Sequence, residues 1–189
     1  SALQLNLSPI WREFIEYHAA PAFWRDIVNV FGPYMTAMYP EIDPYKPPPD
    51  PEKQRKITMR CAIGVNTPTT AACSVRGPHV DSTNEVVAGL LYMPLPEDTA
   101  GGVLEIHELL TYPQFRPKSE LLPGLSRCVK TVPYAPNTFV MFINGPRSIH
   151  AVTPRQPTKL ERRFVSFAVD CQAPIFNIYG PPELINGMS

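Results

Sequence analysis

The chain has 189 residues, with 17 Lys+Arg balanced by 17 Asp+Glu, a length that suits one domain with a real core and a charge that leaves no basic footprint for nucleic acid. Proline is the outlier at 24 residues, more than double the usual share of roughly 5%, and because each interior proline breaks a helix, a mostly helical protein is disfavoured. Cys61, Cys73, Cys128 and Cys171 stand far apart with no C-x-x-C pair, which reads as reduced, mostly buried thiols rather than a disulfide framework.

The longest apolar run, Val86 to Met93, falls far short of the roughly 20 residues that cross a bilayer, and no charged-then-apolar leader opens the chain at Ser1. The expectation is a soluble, cytoplasmic protein with neither a membrane nor a nucleic acid as partner. In chain order, residues 1–39 read as N-terminal helices. Ser8-Pro9 offers an N-cap and first-turn pair, Trp11, Phe14, Ile15 and His18 fall on one stripe, and a second helix runs from Pro21 to Phe31 with Gly32 closing it. Residues 40–55 are a proline-rich extended connector.

Residues 56–171 change character. Short β-branched segments at 57–66, 74–80, 86–93, 102–107, 128–133, 138–143, 148–153 and 163–171 are separated by turn residues such as Gly101-Gly102 and Pro136-Asn137, the spacing of an antiparallel sandwich or barrel. Residues 172–189 form a C-terminal tail. The connection from Glu108 to Arg127 is far longer than the median of about 4–6 residues, so it either carries binding function or covers a sheet face with Leu109, Leu110, Leu121 and Leu122.

His79-Val80-Asp81 puts an imidazole and a carboxylate on one face of extended chain. By itself the triplet also suits a turn in which Asp81 caps Ser82–Asn84. His150, in the separate segment SIHAVTP, supplies a second imidazole, and two imidazoles with one carboxylate form the facial triad that suits non-haem Fe(II). In the segment 163–171 the odd positions Val165, Phe167, Val169 and Cys171 are apolar, so parity turns Arg163 inward with them and Arg162 outward. An inward guanidinium needs an anion, either an internal carboxylate or a ligand carboxylate gripped through two parallel hydrogen bonds. Arg162 takes that place if the register slips by one.

Taken together, His79-x-Asp81, Gly89-Leu90-Leu91-Tyr92-Met93, Gly101-Gly102-Val103-Leu104-Glu105-Ile106, Asn137-Thr138-Phe139-Val140-Met141-Phe142, His150-x-Val152-Thr153-Pro154 and Arg163 resemble the core of the Fe(II)/2-oxoglutarate-dependent dioxygenases, on the prolyl-hydroxylase-like branch. The resemblance runs from about residue 57 to 171. It implies a mainly β chain folded as a double-stranded β-helix (jelly roll, cupin-like) with supporting N-terminal helices, one oxygenase domain over 1–189. It further implies Fe(II) held by His79, Asp81 and His150, and 2-oxoglutarate as cosubstrate with its C5 carboxylate on Arg163 and Tyr92. Arg163 lies further from His150 than the family often places its arginine.

The implied reaction consumes O2 and hydroxylates an unactivated C–H of a small-molecule or peptide substrate, releasing succinate and CO2, with ascorbate as a supporting reductant. Asp81 fills a position that related halogenases leave for chloride, so hydroxylation is the implied outcome. The alternatives are a cupin-like isomerase or 2-oxoglutarate-independent dioxygenase, neither of which needs the inward arginine, and a non-catalytic binding module. Of the remaining candidates, His107 alternates with Glu105 away from Leu104 and Ile106 and is expected on the solvent face. His18 sits at a helix C-terminus, Arg147 at the surface or the barrel mouth, and Trp11, Trp24, Phe14 and Phe23 in helix-to-sheet packing.

Overall fold

The computed structural model describes residues 7–40, 42–45, 57–74 and 76–179. It is mainly β, with two helices and antiparallel sheets. Helix α1 (Pro9–His18) starts behind Ser8 with proline in its first turn, and α2 (Pro21–Met38) does the same behind Ala20. α2 does not stop at Gly32 as expected but continues through Pro33 to Met38. Gly32 serves packing instead of capping: a Cβ there would sit 2.8 Å from Cζ of Tyr45.

A four-stranded sheet has the order β1 (Ile57–Asn66), β9 (Arg162–Cys171), β2 (Glu85–Tyr92), β7 (Thr138–Ile143). A smaller sheet has the order β6 (Ser126–Val132), β3 (Leu104–Leu109), β8 (His150–Val152). It is prolonged past β8 by single antiparallel bridges from His150 to His79 and from His79 to Glu120. Among its described residues the segment expected as a strand over 74–80 therefore forms only the isolated bridges of His79, and Pro78 within it has no N–H to give a ladder.

The long connection after β3 is not structureless. It holds a two-residue hairpin, β4 (Phe115–Arg116) with β5 (Glu120–Leu121), and its backbone binds the His79 segment through Leu121 N–H to Pro78 O (2.8 Å) and Val80 N–H to Ser119 O (3.2 Å). Of the four leucines expected to cover a sheet face, Leu121 is buried and Leu109 packs beside it, whereas Leu110 is 56% exposed. Leu121 packs with Val80, Ile149 and Ile178, the last from the described start of the tail. Of the proline-rich connector, residues 46–55 lie outside the described residues, as do 180–189 of the tail.

The central strands of the four-stranded sheet, β9 and β2, are covered on both faces, whereas the edge strands β1 and β7 have no fully buried residue. On one face, Phe167 meets the rings of Phe14, His18 and Phe23 from the helices at 5.2 to 6.2 Å, and Val169 and Cys171 join Ile27, Met35 and Tyr39 in a core. This bears out the helix-to-sheet packing expected of Phe14 and Phe23. The other face, carrying Arg162, Phe164, Ser166 and Ala168 of β9 with Ala88 and Leu90 of β2, lines a cavity of about 300 Å³ that faces Leu104, His150 and Val152 of the smaller sheet. Among the cysteines, only Cys171 is buried; Cys73 and Cys128 are exposed, against the expectation of mostly buried thiols.

Candidate metal centre

The side chains of His79, Asp81 and His150 converge in this cavity, their ligand atoms all within 4.8 Å of one another. Their convergence starts in the backbone. His79 and His150 exchange both N–H···O bonds, at 2.9 and 3.0 Å, as a hydrogen-bonded antiparallel pair whose side chains share a face. Val80, fully buried with Leu121, Ile149 and Ile178, pins the opposite face, so the strand period of two turns both His79 and Asp81 into the cavity.

Hydrogen bonding sets the tautomers. His79 Nδ1 donates to Gly77 O at 2.7 Å and His150 Nδ1 to Ser148 O at 3.0 Å, which turns both Nε2 atoms toward Asp81, at 3.7 and 3.5 Å from its two carboxylate oxygens, where each can carry a proton or, in its place, a metal ion. Burial pushes the Asp81 carboxyl upward, but its hydrogen bond to His79 and the charges of His150, His79 and Arg76 outweigh this and hold it below the ordinary range. Burial lowers His150, against the pull of Asp81. A metal that takes the place of the Nε2 protons would meet a charged carboxylate beside neutral imidazoles, the state in which all three can ligate.

Asn144, which sequence reasoning missed, braces the two ligand-bearing segments. Wholly buried, its amide donates to Ser82 O and Glu85 O, both at 2.9 Å, and its oxygen accepts from Ser148 Oγ at 2.9 Å. Tyr39 at the end of α2 donates its hydroxyl to the Asn144 carbonyl. An Asn in a turn has many bland explanations, and nothing in the primary pattern separates this one from them. Glu85 was likewise missed. It lines the cavity, faces Arg60 at 3.6 Å, and is pushed up to about 8 by burial first and then by Asp81 and Asp170.

The arginine expected inward is the wrong neighbour. Arg163 has a side chain 42% exposed and pairs with Glu161 at 3.4 Å, whereas Arg162 is 3% exposed and lines the cavity. The apolar parity of β9 is real, but that face is the one covered by α1 and α2; the cavity lies against the other. Arg162 lies over the rings of Tyr134, Tyr92 and Phe164 at 4.8, 5.0 and 5.3 Å, and its Nη2 donates to Gly102 O at 3.3 Å. Gly102 (φ +84°) makes room for it, since a Cβ there would lie 3.2 Å from Arg162 Nε.

Arg162 Nε and Tyr92 Oη are both buried with no hydrogen-bond partner among the described residues. Burial raises the Tyr92 phenol, opposed by the charge of Arg162 and a weak hydrogen-bonding contact with its guanidinium, so it stays protonated, its nearest polar neighbour being Arg162 itself. Arg155, the other buried arginine of this region, differs: both Asp98 oxygens accept from it at 3.1 Å, and Gly101 O accepts at 3.2 Å. Arg147 is exposed and does not line the cavity.

No family model matches the sequence, and no curated protein matches it. Among solved structures, a Pseudomonas putida prolyl-4-hydroxylase is similar at 18% identity over 62% of this chain and 55% of its own, with a TM-score of 0.38. A prolyl 4-hydroxylase from Phytophthora capsici is similar at 14% identity over 87% and 43% (TM-score 0.45), and the Fe(II)/α-ketoglutarate-dependent dioxygenase TqaL at 16% over 74% and 52% (TM-score 0.38). The chain spans about half the length of these structures.

Proposed function

We propose that the chain is an Fe(II)- and 2-oxoglutarate-dependent oxygenase of the prolyl-hydroxylase-like branch that its ordered motifs resemble, hydroxylating a C–H of a small-molecule or peptide substrate. The two sheets are then the halves of a double-stranded β-helix forming one domain. The observation that carries the reading is the pairing, in one cavity, of a two-His, one-carboxylate triad with a buried guanidinium that lacks a carboxylate. A cupin-like isomerase has no use for that guanidinium. Four cysteines far apart in the sequence, with no C-x-x-C pair, suit a reducing compartment, and we place the protein in the cytoplasm.

His79 Nε2, Asp81 and His150 Nε2 would hold the iron, and three protein ligands leave positions open for cosubstrate and O2. The bound metal supplies the redox chemistry that couples O2 and 2-oxoglutarate to C–H hydroxylation, with succinate and CO2 released. Everything else falls to the protein. Gly77 O and Ser148 O keep the imidazoles in the ligating tautomer, and Asp81 arrives already ionised. Arg162 Nε and Tyr92 Oη offer two donors to the distal carboxylate of the cosubstrate, replacing Arg163 in that role. Ala88, Leu90, Leu104, Phe142 and Phe164 form apolar walls that exclude water from the reacting end.

The test is succinate release from 2-oxoglutarate by the Fe(II)-loaded protein across a substrate panel, alongside metal affinity. Asp81→Ala is expected to abolish release and weaken metal binding by at least about 10–100-fold, the loss that even outer partners of a ligand cause. Unchanged metal affinity in Asp81→Ala overturns the assignment.

A further inference from the structure

On the far side of the smaller sheet, a second group of donors stands together. Glu105, His107 and Cys128 place a carboxylate oxygen, an imidazole nitrogen and a thiol within 4.8 Å of one another. They are separate from the triad. Ile106 is in register with His150, which faces the cavity, whereas Glu105 is in register with Ala151 and so points the other way.

A β-bulge brings the thiol there. Ile106 opposes Lys130 but His107 opposes Cys128, so Val129 is the extra residue of β6. Without it Val129 would oppose His107, and the Cys128 side chain would fall on the cavity side with Ile106. The ring of His107 is oriented as a ligand is: Nδ1 meets Ser126 Oγ at 3.1 Å, and Nε2 meets Glu105 Oε2 at 3.4 Å. The expected solvent face is the right one, but the His107 side chain is only 9% exposed. An ordinary Glu–His ion pair accounts for two of these residues, and the Cys128 thiol, which also reaches Lys130 O at 3.5 Å, completes a set of three donors.

We infer that Glu105, His107 and Cys128 form a second metal site, for a borderline-soft divalent ion of the Zn(II) class. Mixed S, N and O donors suit such ions, and three protein ligands leave a fourth position for water or an exogenous ligand. Ser126 is a positioning residue that holds the imidazole. The ion ties β3 to β6, and β3 is the direct neighbour of the strand that carries His150. Binding displaces the Cys128 thiol proton to solvent, so affinity rises with pH.

The experiment is anaerobic Co(II) titration of the metal-free, reduced full chain, read by absorbance. A thiolate-to-cobalt charge-transfer band reports a cysteine ligand, which the triad lacks, and its loss in Cys128→Ser assigns it to this site rather than to another thiol. The expected result is a band that saturates with one thiolate-bound Co(II) per chain, is quenched by Zn(II), survives in Asp81→Ala and is lost in Cys128→Ser. His107→Gln should require at least about 10-fold more Co(II) for the same band. Cys128 is exposed, and far-UV circular dichroism of Cys128→Ser, expected to match the parent, separates loss of a ligand from loss of the fold. No band in the parent protein, a band that persists in Cys128→Ser, or one that disappears in Asp81→Ala overturns the inference.

Discussion

Replacing Arg162 and Arg163 separately by alanine decides which guanidinium serves the site. Arg162 is 3% exposed, its Nε has no hydrogen-bond partner among the described residues, and its charge faces the cavity beside a carbonyl oxygen and aromatic rings. Truncating one partner of a buried, hydrogen-bonded charge pair costs about 2–5 kcal/mol. At 1.36 kcal/mol per decade, Arg162→Ala should therefore raise the Kd for 2-oxoglutarate by roughly 30- to 5,000-fold. Arg163 is half-exposed and faces an equally exposed Glu161, an ion pair of the kind worth about 0–1 kcal/mol, so Arg163→Ala should change that Kd by no more than a few-fold. The assay is calorimetric titration of 2-oxoglutarate into the Mn(II)-loaded protein, with Mn(II) affinity measured in parallel and expected to stay near that of the parent in both variants. Removing a buried cation that has no counter-ion should also leave the cosubstrate-free protein as stable or more so, and Arg162→Met tests this by thermal melting. Strong loss of cosubstrate affinity in Arg163→Ala with none in Arg162→Ala refutes the reasoning. So does an Arg162→Met protein that unfolds without cosubstrate, which would make the residue structural.

Glu85, raised from its ordinary 4.5 to about 8 in the folded, metal-free chain, keeps a proton that the unfolded chain has lost across that window. Stability should therefore fall as pH rises from about 4.5 to 8, by at most roughly 4–5 kcal/mol, and urea titrations of Glu85→Gln should show a flatter profile. Because the Asp81 charge is among the causes of the shift, Mn(II) bound at Asp81 should lessen the slope; a parent profile as flat as that of Glu85→Gln would remove Glu85 from the account. Leu121→Ala opens a cavity against Val80, Ile149 and Ile178 and should cost about 2–5 kcal/mol in chemical denaturation while weakening Mn(II) binding, since Val80 orients the ligands on either side of it. A fully stable Leu121→Ala would mean that the hairpin does not hold the ligand segment.

Much of this protein is legible from local pattern alone. The proline-capped starts of both helices, the period of two in β1 and in the apolar positions of β9, and the left-handed backbone at Gly101, Gly102 and Asn137 follow from steric rules that act over a few residues. His79 and Asp81 share a face for the same reason. Tyr92, which the family resemblance pairs with the arginine, is fully buried with its ring 5.0 Å from the Arg162 guanidinium. What local pattern does not contain is which element lies against which face. In β9 the period of two correctly separates Arg162 from Arg163, but both faces are buried, and only the docking of α1 and α2 on the more apolar one shows that the cavity takes the other.

Pairing partners were equally out of reach. The segment before Asp81 makes no strand by itself; it is held extended by His150 on one side and by Ser119–Leu121 on the other, residues distant in sequence. The bulge at Val129 depends on how β6 meets β3, so Cys128 reads as an isolated thiol in the primary structure and acquires His107 and Glu105 as neighbours only in the folded sheet. The sequence by itself determined the donors, the strand periods and the helix starts, because these depend on residues within a turn or a pleat of each other. Tertiary structure alone decided which arginine faces the cavity and which thiol faces an imidazole, because burial is a property of the surface that arrives to cover a face, and that surface comes from elsewhere in the chain.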